Sequence, residues 1–146
     1  MKVADILKIK GDAVRTVPSR TPVAEAVQLL AGPPPIGALV VSDDDGRTVH
    51  GIISERDLVR RLGTDGARLL ELTVGEVMTR HVVTCTLDNT LDEVMAEMTR
   101  RRHRHLPVVR DDRLVGLVSI GDVVRHRLAE MRTETGVLRD IYLASH

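Results

Sequence analysis

The spacing of apolar residues along this chain alternates between two periods, one typical of helices and one typical of buried strands. Val23, Ala26, Val27 and Leu30 follow the i, i+3, i+4, i+7 spacing of a helix that buries one face. The segment GPPP at 32–35 then ends this helix, because proline has no N–H to donate and its ring clashes with the preceding turn. The pattern therefore predicts an amphipathic helix that ends before residue 32.

A hairpin and a second helix follow this first helix. The apolar run at 36–41 predicts a buried strand, SDDDG at 42–46 predicts a turn, and 48–53 predicts the returning strand. Ser54 then opens a helix, and a short strand at 14–17 precedes the whole unit. The first half therefore has the order strand, helix, strand, strand, helix.

The second half repeats this order. Its predicted elements are a short strand at 82–85, a helix near 91–102, strands at 105–109 and 113–118 around a turn at 111–112, and a helix from 119 onward. The residues repeat as well: GIISERDLVR at 51–60 matches GLVSIGDVVR at 116–125, and VADIL at 3–7 echoes VGEVM at 74–78. A tandem repeat predicts two similar half-folds with a cleft of approximate two-fold symmetry between them. Because neither half is long enough to bury much core alone, we expect the halves to share one core.

Composition narrows the classes of function. Lysine plus arginine equals aspartate plus glutamate, at 21 each, which argues against a general polyanion binder. Without Trp or Phe, and with Tyr142 as the single Tyr, the chain lacks stacking platforms for single-stranded nucleic acid. The sequence carries no charged-then-apolar leader and no long apolar run, so we expect neither secretion nor membrane insertion. The single Cys85 excludes an internal disulfide framework and fits a reducing cytoplasm.

Two longer signatures resemble those of CBS domains, named after cystathionine β-synthase. They are IGALVVSDDDG followed by GIISERDLVR, and HRHLPVVRDDRLVGLVSIGDVV, and the resemblance extends from about Val3 to Arg127. It implies an α/β fold of two β-α-β-β-α units packed with pseudo-two-fold symmetry, a tandem pair often called a Bateman module. We assign residues 1–70 to repeat 1, residues 71–130 to repeat 2 and residues 131–146 to a C-terminal helix or tail.

The resemblance also implies a function. Such a pair is a cytoplasmic, homodimeric sensor that binds adenosine-containing ligands in the clefts between its repeats. AMP, ADP, ATP and NAD(H) are the expected regulatory ligands, and an unknown regulated protein is the expected partner. We expect no nucleic acid and no membrane among its partners.

The motif Ser-x-x-Asp occurs at Ser54/Asp57 and again at Ser119/Asp122, each time where a strand is followed by a helix. One interpretation is a capping box, in which the serine accepts a bond from the third helical amide and the acidic residue favours the helix dipole. The other is ligand binding, since an ionised aspartate offers only acceptors and can take both hydroxyls of a ribose cis-diol. In the resembled family these two positions hold the ribose. We favour ligand binding, while the serine can cap as well.

One candidate site lies in each half. In the resembled family adenine lies against the middle strand, here around Ala38-Leu39 and Leu106-Pro107, although burial in the core is the alternative for most strand residues. The first candidate site comprises Thr16, Val17, Gly37, Ala38, Leu39, Ser54, Arg56 and Asp57. The second comprises Thr84, Arg104, His105, Leu106, Pro107, Ser119, Gly121 and Asp122.

The two candidate sites differ in charge and bulk. Arg104 and His105, where family members often place phosphate-contacting residues, correspond to Gly37 and Ala38 in the first half. Arginine binds phosphate through two parallel donors, so we expect the second site to favour a compact mononucleotide such as AMP. Small residues leave the first site open to an extended ligand such as NAD(H). Arg100 and Arg101 are interpreted as the solvated end of a helix.

Catalytic and metal chemistry have little support in the sequence. It contains no GxxxxGK[ST] phosphate loop and no nucleophile elbow, and Cys85 is expected to pack rather than react. We predict no enzyme, no catalytic residue and no metal, because His103 and His105 would need further zinc ligands that no spacing supplies. His50, His81, His126 and His146 are expected to be exposed. The alternatives are an interaction module whose clefts are filled by side chains, and a metal-binding or nucleotide-hydrolysing protein.

Apolar residues on the end helices predict a homodimer. So much apolar helix surface is hard to bury within a small monomer. The residues concerned are Leu58, Val59 and Leu62 in one half, Val123, Val124 and Leu128 in the other, and then Met131, Leu138, Ile141 and Tyr142.

Overall fold

The computed structural model describes the backbone of residues 1–145 and the side chains of residues 1–132, 143 and 144. Over that part of the chain the elements are helices packed around two small β-sheets. In chain order they are α1 (Val3–Lys10), β1 (Thr16–Val17), α2 (Val23–Ala31), β2 (Ala38–Val41), β3 (Gly51–Ser54), α3 (Glu55–Asp65), a 3-10 helix (Gly66–Glu71), α4 (Val74–Val77), α5 (Leu91–Arg101), β4 (His105–Arg110), β5 (Arg113–Ser119) and α6 (Ile120–Ser145).

The two sheets confirm the predicted order of elements but differ in size. In the first half β1 pairs parallel with β2, and β2 pairs antiparallel with β3. In the second half β4 and β5 form an antiparallel pair whose register shifts directly after Val108. The predicted strand at 82–85 is shorter than expected: only Cys85 pairs, through a parallel bridge to Val108. Its N–H donates to the carbonyl of Pro107 at 3.0 Å.

The hairpin of the first half has shorter strands than the apolar pattern predicts. A polar network around Asp44 explains the late start of β3. Its carboxylate accepts from the Thr48 amide at 2.8 Å and from the Ser42 hydroxyl at 2.7 Å. These hydrogen bonds, with a further one from the Thr48 hydroxyl, hold the pKa of Asp44 below its ordinary value. Such local side-chain bonds offer the backbone an alternative to the strand ladder.

The buried apolar side chains of the described residues form two clusters, so the expectation of one shared core is wrong. The first core contains Val17, Val23, Ala26, Leu30, Leu39, Val41, Ile53, Leu69, Val74 and Val77. The second core contains Val3, Ile6, Leu7, Cys85, Leu91, Val94, Met98, Leu106, Val108, Val118 and Val123. Each core includes a helix from the opposite half of the chain.

This exchange involves the two blocks that echo one another, VADIL in α1 and VGEVM around α4. Although α1 begins the first half, its amide at Val3 donates to the Asn89 carbonyl of the second half at 2.9 Å. Likewise α4 begins the second half, and its amide at Val74 donates to the Thr21 carbonyl of the first half at 2.8 Å. The halves are therefore connected reciprocally, each packing the other's leading helix.

The repeated glycines Gly51 and Gly116 provide space for the exchanged segments. A Cβ on Gly116 would lie 2.6 Å from Leu7 Cδ1, and a Cβ on Gly51 would collide with Met78 Sδ. Leu7 and Met78 are equivalent residues of the two echoing blocks. A larger residue at either glycine would force the side chain of Leu7 or Met78 out of its present position.

The end helices expose part of the apolar face that predicts a homodimer. Val59, Leu62, Val124, Leu128 and Met131 are exposed. Val123, by contrast, is buried in the second core, and Leu58 packs half-buried against the first core, so these two do not belong to an exposed face. The side chains of Leu138, Ile141 and Tyr142 lie outside the described residues.

The predicted exposure of four histidines is confirmed in part. His50 and His81 are exposed as predicted and His126 is partly exposed, while His146 lies outside the described residues. None of the helices described here is long and apolar enough to cross a membrane.

Candidate functional site

Both Ser-x-x-Asp motifs lie where a strand of the sheet ends and a helix begins. Ser54 is the residue before α3, and its hydroxyl oxygen accepts from the Asp57 amide at 3.3 Å. The Ser54 amide in turn donates to Asp57 Oδ2 at 2.9 Å. The second motif has the same pair of bonds, at 3.2 Å and 2.9 Å. The capping interpretation is therefore confirmed at both positions, and in each motif the cap uses the Oδ2 atom of the aspartate.

In the first half Asp57 keeps acceptor capacity. It is half-buried, and among the described residues it forms no ion pair. Its Oδ1 atom lies 3.5 Å from the Thr79 hydroxyl, the outer limit of a hydrogen bond. Arg56, which neighbours Asp57, is exposed and donates to the Arg102 carbonyl of the second half at 3.4 Å.

In the second half the carboxylate of Asp122 is buried and bound by two cations. Lys10 Nζ lies 2.6 Å from Oδ2, and Arg125 Nη2 lies 2.6 Å from Oδ1. Burial raises the pKa of Asp122, but the hydrogen bonds from Lys10 and from the Ser119 amide outweigh it, so the pKa lies below its ordinary value. Gly121 stands in place of Arg56, and a Cβ on it would lie 3.6 Å from Arg125 Nη1, which is an ordinary packing distance.

The contact between Lys10 and Asp122 was not predicted from the sequence. Lys10 is the last residue of α1, and its ammonium also donates to the Leu117 carbonyl at 2.7 Å. In the first half the matching carbonyl, that of Ile52, accepts from the Thr79 amide at 2.9 Å. The ammonium of Lys10 thus occupies the place that the Thr79 amide and hydroxyl occupy in the other half.

His105 joins the two halves at Gly37. A Cβ on Gly37 would lie 2.7 Å from both Cε1 and Nε2 of His105, so the imidazole lies directly over the glycine backbone. The expectation that Gly37 leaves open space is therefore wrong, because His105 fills that space from the second half. Burial lowers the pKa of His105, and Lys10 lowers it further, against opposing effects of Asp122 and Glu55.

The arginine cluster divides as predicted. Arg100 and Arg101 both pair with Glu97 on the exposed face of α5. Arg104 is exposed, and no side-chain partner for it occurs among the described residues. Its guanidinium is thus available for a phosphate.

The strand residues of both candidate sites are largely core. Ala38, Leu39, Leu106 and Pro107 are buried, as is Val17 in the first core. Backbone groups of these strands, rather than their side chains, are what a purine ring would contact at their edges.

Each of the two threonines lines a surface groove. Thr16 lines a groove of about 380 Å³ with Asp45 and Leu114. Thr84 lines another, of about 360 Å³, with Leu106 and Glu93. Neither groove includes a Ser-x-x-Asp residue.

Cys85 and the histidines offer little other chemistry. Cys85 is buried in the second core, and burial raises the pKa of its thiol to about 12, which suppresses the reactive thiolate. Within the described part of the chain, no three His, Cys, Asp or Glu side chains are grouped as metal ligands would be.

Comparison with protein families identifies the repeat. The CBS domain family model matches residues 3–64 and 74–129. A curated relative, the CBS domain-containing protein CBSX3, mitochondrial, of Arabidopsis thaliana, is 39% identical over 102 residues. The aligned region is 68% of this chain and 50% of that protein, so this chain spans about half the length of that relative.

Solved structures share the fold over most of the chain. The CBS-domain containing protein ATU1752 from Agrobacterium tumefaciens superposes with a TM-score of 0.82 at 44% identity, covering 87% of this chain and 99% of that one. The CBS domain pair of protein MJ0100, solved in complex with 5′-methylthioadenosine and S-adenosyl-L-methionine, superposes with a TM-score of 0.77 at 30% identity. That match covers 89% of this chain and 98% of the MJ0100 pair.

Proposed function

The chain belongs to the CBS domain family as a tandem pair, and on this premise we propose that it is a non-enzymatic regulatory module that binds adenosine-containing ligands between its repeats. Ligand occupancy is reported to a partner protein. The observation that carries this proposal is the duplicated Ser-x-x-Asp corner, where an acceptor-only carboxylate meets a helix N-terminus in both halves. The adenosine compounds bound by the related MJ0100 pair support the ligand class.

Asp57 is the aspartate best prepared to bind a ribose. Its cap uses Oδ2, while Oδ1 faces only the distant Thr79 hydroxyl among the described residues. Oδ2 already accepts from the Ser54 amide and from the Ser54 hydroxyl at 3.0 Å, so the acceptor capacity for a cis-diol lies first on the two lone pairs of Oδ1, and Oδ2 accepts the second hydroxyl when the Ser54 hydroxyl turns away. The N-terminal end of α3 further favours the negative charge that these bonds require.

AMP, ADP, ATP and NAD(H) remain the candidate ligands. The guanidinium of Arg104, which is exposed and has no ion-pair partner in the described part of the chain, supports a phosphate-bearing ligand in the second half. In the first half the corresponding residues, Gly37 and Ala38, carry no charge. An extended ligand there would have to displace His105 from Gly37.

Replacing each aspartate by asparagine tests the ribose role. Asp57→Asn and Asp122→Asn remove a charged acceptor from a partly or fully buried position, which costs about 1.5–3 kcal/mol, or more than roughly tenfold in affinity. Isothermal titration against AMP, ADP, ATP, NAD(H) and S-adenosylmethionine measures the loss. Asp88→Asn, the same change at an exposed turn, is the matched control.

A 2′-deoxy ligand provides the chemical counterpart of this experiment. It lacks one hydroxyl of the diol, so its binding to the wild-type protein should weaken for the same reason. Equal affinity for the ribo and deoxy forms would mean that the aspartates only cap their helices.

A second candidate function is an interaction module without a small-molecule ligand. The filling of the cleft by side chains favours it: His105 lies over Gly37, and Lys10 and Arg125 occupy the carboxylate of Asp122. Under this alternative none of the five ligands binds, and the protein is nevertheless dimeric.

A further inference from the structure

The carboxylate of Asp122 has no vacant oxygen for a ribose in this conformation. Oδ2 accepts from Lys10 Nζ at 2.6 Å and from the Ser119 amide at 2.9 Å, and Oδ1 accepts from Arg125 at 2.6 Å. The aspartate side chain is only 4% exposed, so water does not compete for these positions. A cis-diol that needs one acceptor for each hydroxyl must therefore displace a cation.

The two cations differ in how easily they leave. The side chain of Arg125 is 72% exposed, and an ion pair at such exposure contributes little. Lys10 is 32% exposed and is held a second time, by the Leu117 carbonyl. A less hydrated pair is screened less, so Lys10 is the cation that controls access to Asp122.

Among the described residues, no cation takes the equivalent place beside Asp57 in the first half. Thr79 stands where Lys10 stands in the second half, and it contributes a neutral amide to Ile52 and a neutral hydroxyl at 3.5 Å from Asp57. A diol that approaches Asp57 therefore displaces no charge. The exchanged segments make the two sites chemically unequal.

The charges around Asp122 indicate which ligand can release Lys10. Lys10 and Arg125 are positive, Asp122 is negative, and the lowered pKa of His105 leaves the imidazole neutral at pH 7. The cluster thus carries an excess of positive charge. A neutral nucleoside that took Asp122 would leave the ammonium of Lys10 without an anion, whereas a nucleotide brings its own phosphate.

On the basis of the proposed function, we propose that Lys10 determines the specificity of the second site for nucleoside phosphates over nucleosides. The ribose diol takes the Asp122 carboxylate, and the ligand's phosphate replaces that carboxylate as the counterion of Lys10. Neutral nucleosides bind this site more weakly because they satisfy only the first half of this exchange. The first site, with Thr79, accepts both classes.

Titration of adenosine and AMP into an Asp57→Asn background, which isolates the second site, tests this assignment. The Asp57→Asn protein should prefer AMP over adenosine by more than roughly tenfold, the scale of one charge-assisted hydrogen bond. Adding Lys10→Met should strengthen adenosine binding, weaken AMP binding and reduce the AMP-to-adenosine ratio by roughly tenfold or more. Lys8→Met, an exposed lysine on the same helix, should leave the ratio unchanged.

The second arm of the experiment keeps the proposal testable if Lys10→Met does not fold. Lys10→Gln retains a hydrogen-bond donor for the Leu117 carbonyl but has no charge, and it should reduce the ratio in the same direction. Thermal melting establishes which variants are folded before titration.

The outcomes separate this inference from the proposed function. A ratio unchanged by Lys10→Met or Lys10→Gln, with both ligands still bound, would overturn the role of Lys10 and leave the proposed function standing. If neither AMP nor adenosine binds the wild-type protein or any variant, this inference fails, and the proposed function fails with it only if ADP, ATP, NAD(H) and S-adenosylmethionine do not bind either.

Discussion

Replacing Ile6 by alanine tests the exchange of helices between the two halves. Ile6 lies in α1, at the start of the first repeat, yet its fully buried side chain belongs to the second core. The change removes every side-chain carbon beyond Cβ and leaves a cavity in a core whose other members, such as Leu106 and Val118, are themselves fully buried. Truncations of this kind cost about 2–5 kcal/mol, and we expect about 3–4 kcal/mol here because a rigid β-sheet core collapses poorly around a cavity.

Two measurements follow the consequences of Ile6→Ala. Denaturant unfolding gives the loss in the free energy of unfolding, and amide hydrogen exchange locates it. Amides of β4 and β5 should lose more protection than amides of β2 and β3, although α1 is closer in sequence to the latter. Ile9→Ala is the matched control, since Ile9 is 73% exposed on the same helix and its truncation should cost less than about 0.5 kcal/mol. Equal or greater loss of protection in β2 and β3 would refute the assignment of α1 to a separate second core.

Two further predictions concern assembly and pH. The exposed Val59, Leu62 and Met131 predict a homodimer, so light scattering at micromolar concentration should give twice the chain mass of 16.1 kDa, and a monomeric mass would remove the claim. The pKa of His105 is lowered by burial, so the unfolded chain takes up this proton more readily than the folded chain. The stabilisation is present above about pH 6.5 and is lost as the pH falls below that value towards the folded pKa. His105→Gln should flatten this part of the stability profile, and identical profiles for the variant and the wild type would contradict the assignment.

Local features of the fold were predictable because neighbouring residues determine them. The prolines after Gly32 end α2 whatever packs around it, and the Ser-x-x-Asp corners cap their helices through bonds spanning three residues. Because the sequence is duplicated, each element predicted in one half strengthened the prediction of its counterpart in the other half. The prediction of a strand at 82–85 was wrong in length because only Cys85 of that segment pairs with β4. An apolar pattern does not indicate how many residues take part in a strand pairing.

The packing of α1 and α4 was not predictable from the pattern. The pattern of an amphipathic helix shows which face it buries. Two repeats with similar cores, however, offer that face two similar surfaces to pack against. Which core the helix packs against is decided by contacts that cannot be read from the sequence, such as that of the Leu7 side chain with the backbone of Gly116. Gly37 shows a second limit of prediction from the sequence. A missing side chain predicts a close approach, and only the fold decides whether a ligand or His105 makes it.

The exchange also explains why the two sites differ although the motifs that define them are nearly the same. Each Ser-x-x-Asp corner is completed by a segment that leads into the opposite repeat, so its properties depend on residues outside its own half. Asp57 receives the neutral Thr79, whereas Asp122 receives Lys10 across 112 residues of sequence. Because Lys10 ends the same helix whose Ile6 and Leu7 pack the second core, any ligand that displaces its ammonium acts on an element that stabilises that core. Under the proposed role of Lys10, ligand charge at the second site is therefore linked to the packing of α1. Among the described residues no cation provides such a link at Asp57, where Thr79 is held by its own backbone bonds to Ile52.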